Sequence, residues 1–218
     1  MAGEQKVEEV VMDFEQAAWL GLREVFPEID IKGCIFHLCQ SIYRKVQKVG
    51  LSVMYKNEPE VRNLIKQLFT LPLLPLREMI NHFEMLKYQF DASHDRMKDL
   101  YNYVALTWFE SSVWKPRDIC AYKRLVRTNN DAEGYHRRLN SRLGEKPPIY
   151  RLVEQLFKHE AKIVNLTCRL ITCKNVTMIR RRQTREKQSQ LTDLWNKFDD
   201  GLIDTQEFIT EAMVYSPF

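Results

Sequence analysis

Hydrophobic periodicity constrains this chain most, and it changes character once, near residue 50. Before that point short β-branched runs alternate with helical spacing; after it, helical spacing dominates. Val7, Val10, Val11 and Met12 form a compact apolar run ending at Asp13. Phe14, Ala17, Ala18, Leu22, Val25 and Phe26 then recur at the three- and four-residue steps of one helix face, up to Pro27. Ile29, Ile31, Ile35 and Phe36 predict a second short strand, and a helix from His37 to Val49 is stopped by Gly50. This β-α-β-α order favours a parallel strand pair, because a crossover helix returns the chain in the same direction.

Beyond residue 50 three helical stripes follow one another. Val61, Leu64, Ile65, Leu68 and Phe69 make the first, Met79, Ile80, Phe83 and Leu86 the second, and Met97, Leu100, Tyr101, Val104 and Trp108 the third. Residues 111–116 break the pattern. Further helices are expected over 128–143, ended by Gly144, over 150–172, and over 191–213 as a hairpin broken at Gly201. Seven glycines and eight prolines in 218 residues fall well below the roughly 12% of average usage, as a helix-dominated chain requires. No repeat of fixed period occurs, which disfavours a solenoid.

With 44% hydrophobic and 28% charged residues the chain can bury a sizeable core, and no apolar run approaches the roughly 18 residues of a membrane span. The acidic start, MAGEQKVEEVVMDFE, is unlike a secretory signal. Five cysteines are an odd, sparse set that suits reduced thiols. A nuclear or cytoplasmic protein, not secreted and without membrane contact, is therefore expected. The formal net charge is +4, unevenly spread. Residues 1–30 hold two basic and eight acidic side chains, residues 115–146 nine basic and four acidic, and residues 174–187 six basic and one acidic. Clustered lysine and arginine suit a polyanion, since phosphate neutralisation dominates nucleic-acid affinity, although solvated helix faces carry such runs too.

Three places hold chemistry-bearing residues. Asp13, at the end of a strand, sits where the rim of a parallel sheet binds ligands, or it simply opens the next helix. Cys34 and His37 stand at Cys-x-x-His spacing. That pair could contribute to a zinc site, but no second pair lies at finger spacing, and a buried thiol beside a helix-start histidine fits equally. In the segment 128–140 helical spacing puts Glu133, His136, Arg137 and Asn140 on one face. That face suits metal and phosphate chemistry, or is a well-capped surface helix. The turn Asp199-Asp200-Gly201 does not meet the ligand spacing of a calcium loop.

These segments, in this order, carry a resemblance. Val-Met-Asp13-Phe-Glu15-Gln-Ala-Ala, Gly-Cys34-Ile-Phe-His37-Leu-Cys39-Gln and Arg-Thr128-Asn-Asn-Asp-Ala-Glu133-Gly-Tyr-His-Arg-Arg-Leu-Asn140 resemble successive signatures of the Mutator-like element (MULE) transposases, over roughly residues 7 to 160. The resemblance implies a ribonuclease-H-like fold with an all-helical insertion before the helix of the last acid, and DNA transposition through an Asp-Asp-Glu triad. By position, Asp13 matches the second Asp and Glu133 the Glu, as catalytic residues and metal ligands. Cys34 and His37 match a signature thought to help position DNA. Mg²⁺ or Mn²⁺ is the implied cofactor, because two such ions about 3.5 to 4 Å apart activate the attacking oxygen and stabilise the leaving one.

We add Arg124, Arg127, Arg137 and Arg138, and Arg180, Arg181 and Arg182 of the later basic run, as expected DNA contacts. The family's first Asp lies in an earlier strand, whereas only twelve residues precede Asp13 here. The expectation is thus a fragment, truncated gene model or domesticated remnant, incomplete in catalysis. The expected fold class is α/β, mostly helical: a partial ribonuclease-H-like βαβα segment over 1–50, a helical insertion over 51–126, the Glu helix and its successor over 127–173, and a basic segment with a helical hairpin tail over 174–218. DNA, as transposon ends or target, and a homo-oligomer on it are the expected partners. The alternative is a non-catalytic, transposase-derived helical module that binds protein.

Overall fold

The computed structural model describes residues 7–144, 146–172 and 182–218. They form two compact units, Met1–Asn129 with Lys187–Phe218, and Asn130–Glu186.

The first unit opens with β1 (Glu9–Met12), α1 (Gln16–Val25), β2 (Asp30–Gly33) and α2 (Ile35–Lys48). The strands pair in parallel, Val10 opposite Ile31 and Met12 opposite Gly33. Helix α1 is the crossover, as the β-α-β-α pattern requires. Phe14 fixes its start: the ring lies where a Cβ on Gly33 would sit, and it meets Trp108 edge-on at 4.4 Å and Trp114 at 5.7 Å. Arg23 of α1 reaches the Val113 carbonyl at 2.6 Å and the buried Asp118 carboxylate at 2.8 Å. Asp118 also accepts the Lys115 backbone N–H at 2.8 Å, closing the short helix α7 (Pro116–Ile119). One buried carboxylate therefore ties the crossover helix to the loop that follows the helical block.

That block comprises α3 (Ser52–Asn57), α4 (Pro59–Thr70), α5 (Leu76–Asp91) and α6 (Asp95–Val104), the last running on into a π-helical turn at Ala105–Phe109. Pro59 opens α4 at the one helical position where its missing N–H costs nothing. The three predicted stripes are the buried faces. Ile65, Leu68 and Phe69 of α4, Phe83, Leu86 and Phe90 of α5, and Leu100, Val104 and Trp108 after them share one core with Leu38, Ile42 and Val46 of α2. Each such side chain is worth about 1.5–3 kcal/mol when fully buried, so burial against the block holds α2 in place.

The C-terminal hairpin, α11 (Arg182–Asp199) and α12 (Thr205–Ala212), completes the same core with Leu191, Leu194, Trp195, Phe208 and Ile209. Buried Trp195 donates its indole N–H to the Leu73 carbonyl at 2.8 Å. Asp199 accepts from Tyr122 and Lys123, and Asp204 caps α12 in a reciprocal box with Glu207. These carboxylates thus serve the hairpin. Gly201, at a φ of 68°, makes the turn that an L side chain would resist.

The second unit consists of α8 (Asn130–Leu143), α9 (Ile149–Glu154), a π-helical turn at Gln155–Glu160 and α10 (Ala161–Thr172). Helix α8 buries no residue. Among the described residues of this unit Glu160 is buried, and it accepts from Arg142 at 3.0 Å, Gln155 at 3.1 Å and Arg138 at 3.4 Å. The chain is thus mostly helical with a two-stranded parallel sheet, as periodicity indicated, and among the described residues no helix is long and apolar enough to cross a membrane.

Candidate functional site

The residues singled out near the strands meet at one corner, the C-terminal end of the parallel pair. The Cys34 backbone N–H donates to the Met12 carbonyl at 2.8 Å, so Asp13 and Cys34 leave the two strands side by side. The next amide, Ile35, donates to the Arg127 carbonyl at 2.9 Å, which brings the loop that precedes α8 against the start of α2. Asp13 is exposed, and its own carbonyl is locked by the indole N–H of the fully buried Trp19 at 2.7 Å. Cys34, buried, is the residue from which α2 springs, and His37 is half-buried in its first turn with its ring 5.7 Å from that of Phe36. Cys39 is a different kind of thiol. It is buried against the Phe69 carbonyl at 3.6 Å, and burial pushes its ionisation well above the ordinary thiol range, so it acts as a small apolar side chain.

Of the seven arginines proposed from sequence, Arg124, Arg127 and Arg138 have partners inside the protein. Arg124 donates to Glu9 at 2.6 Å, and its Nε and Nη1 are buried without a hydrogen bond among the described residues. Arg127 donates to the Arg124 carbonyl and to Gln188, both at 2.8 Å, and lies over the Trp195 ring at 5.6 Å. Arg138 leans over Tyr135 at 5.4 Å and reaches Glu160. Arg137 is exposed. Arg180 and Arg181 lie outside the described residues, and Arg182 is described only as the first residue of α11.

Glu133 is half-buried in the first turn of α8 beside Asp131, where the helix dipole favours a negative charge. His136, Arg137 and Asn140 of the same face are exposed. Asp13 belongs to the first unit and Glu133 to the second. Among the described residues no group of three or more His, Cys, Asp and Glu side chains is arranged to hold a metal ion. The pair of Mg²⁺ or Mn²⁺ ions implied by the resemblance needs several carboxylate oxygens, and Asp13 and Glu133 are the two carboxylates that the resemblance offers for it.

Sequence reading finds Asp13, Cys34 and His37 but passes over Trp19, which locks the Asp13 carbonyl, the approach of Phe14 to Gly33 and the pairing of Arg124 with Glu9. One signal was available: a lone glycine in a strand, Gly33, marks a close approach, here by the Phe14 ring. No family model, curated protein or solved structure matches this chain.

Proposed function

We propose that this chain is a DNA-binding domain related to the MULE transposases, with a partial ribonuclease-H-like core, that holds DNA without cutting it. The observation that carries this reading is the corner at the strand ends, where the backbone on either side of Asp13 and Cys34 is hydrogen-bonded to β2, α2 and the Arg127 segment. Two stretches that resemble one family meet there on backbone bonds, with the Arg127 carbonyl at the head of the third bonded to Ile35, and ligands of parallel sheets bind at that edge. Residues 115–127, before α8, and 137–146, from its second half onward, are basic and carry cations for phosphate, the exposed Arg137 among them.

The test is fluorescence anisotropy of a labelled duplex at increasing salt, with Mg²⁺-dependent nicking assayed on Asp13→Ala and Glu133→Ala beside the unmodified chain. We expect affinity to fall steeply with salt, Arg137→Glu to weaken it several-fold, and no nicking. Binding that does not change with salt would overturn the reading, and nicking lost in both alanine variants would replace it with a working nuclease.

A further inference from the structure

We infer that the groove between β1 and α1 receives an extended strand of a partner protein, apolar in its alternate side chains and flanked by lysine or arginine. The backbone gives the first reason. Asp30 N–H donates to the Glu8 carbonyl at 3.0 Å and Cys34 N–H to that of Met12 at 2.8 Å, so Glu8, Val10 and Met12 are the residues that bond β2. In a parallel ladder the alternate residues, Glu9 and Val11, turn their peptide groups to the other edge. Among the described residues those groups have no backbone partner beyond the pairing of β1 with β2. An unmet row of this kind is a template for strand addition. Native edges are usually guarded by lysine, proline or a bulge. Glu9–Met12 has none of these, and its one charge, Glu9, is tied to Arg124.

Beside the strand lies a groove of about 720 Å³ that Val10, Leu22, Val25, Phe26 and Ile29 help to line, within the usual range of roughly 300–1,000 Å³ for a binding pocket. Val25 is 66% and Phe26 55% exposed. This apolar lining calls for side chains that remove it from water.

Charge decides the occupant. Glu8 and Glu28 line the groove and Glu24 precedes Val25; none of the three has an ion pair among the described residues. DNA is repelled by that rim. A second copy docked through the same face would set the acids against themselves. A strand with basic flanks satisfies the edge, the apolar lining and the rim together.

The probe is a labelled nine-residue peptide alternating valine with lysine, added to the full chain. Controls replace alternate residues by proline, which removes strand donors, or lysine by glutamate. We expect saturable binding, at least tenfold weaker for both control peptides and for the protein bearing Glu8→Lys with Glu28→Lys. In the unmodified protein the Glu9 and Val11 amides should gain hydrogen-exchange protection only when the peptide is present, a readout that holds even where the charge-reversed protein fails to fold. Equal binding of the proline peptide, unchanged affinity of the charge-reversed protein, or no added protection at those amides would overturn the proposal. A dimer that protects the same amides without peptide would assign the groove to a second copy instead.

Discussion

At the scale of single residues, two positions carry sharp consequences. Gly33 is a glycine because the Phe14 ring occupies the space of its Cβ. Gly33→Ala must push that ring from Trp108 and Trp114, and overpacking of this kind costs about 1–3 kcal/mol. The loss would be read as a lowered urea midpoint, and Phe14→Leu, which shrinks the ring, should partly restore it. His82 is the second. It is buried, its Nε2–H donates to Gln67 Oε1 at 2.9 Å, and burial holds its pKa below the ordinary imidazole value. The folded state therefore binds fewer protons than the unfolded one once pH drops below the unfolded value of about 6.5. Stability is full above that pH and declines as pH falls toward the depressed folded value. Urea unfolding from pH 7.5 to 5 should show this decline, and His82→Gln, which cannot titrate, should flatten it. An equal slope in the variant would place the titration elsewhere.

At the scale of elements, the C-terminal hairpin is the informative case. Trp195 of α11 fills the core and satisfies the Leu73 carbonyl. Trp195→Phe keeps the apolar body and strands that buried acceptor, at a cost of about 1–3 kcal/mol. Tryptophan truncation to alanine should cost more, about 3–5 kcal/mol. Asp204→Ala removes the α12 cap and should cost about 1 kcal/mol, because it frees the Glu207 amide. Chemical denaturation of the three variants would rank these effects, and a cap variant worse than Trp195→Ala would contradict the core assignment. Element type was legible because it rests on local periodicity: the stripes of α4, α5 and α6 fall where the apolar spacing put them. The segment 117–126 was not. It is held by Asp118 and the Ala121 amide bonded to Pro72 at 2.7 Å, contacts with no local spacing to announce them.

At the scale of the whole molecule, the arginines show how tertiary contact changes a sequence reading. Arg124, Arg127 and Arg138 have internal partners, whereas Arg137 is exposed. We expect Arg127→Ala to lower stability through lost contacts with Gln188 and Trp195, and Arg137→Ala to leave stability within about 0.5 kcal/mol, as surface changes do. Thermal unfolding alongside duplex binding separates the two, and equal losses of stability would refute the distinction. By itself the sequence determined the mostly helical α/β class, the parallel strand order and the candidates Asp13, Cys34 and His37, because these follow from residue spacing and chain direction. Only the tertiary structure decided that residues 187–218 share one unit with residues 1–129, that Trp19 and Phe14 fix the backbone around Asp13 and Gly33, and that among the described residues only β2 pairs with β1. Those outcomes depend on contacts between residues far apart in the chain, which hydrophobic burial makes favourable but no local pattern specifies.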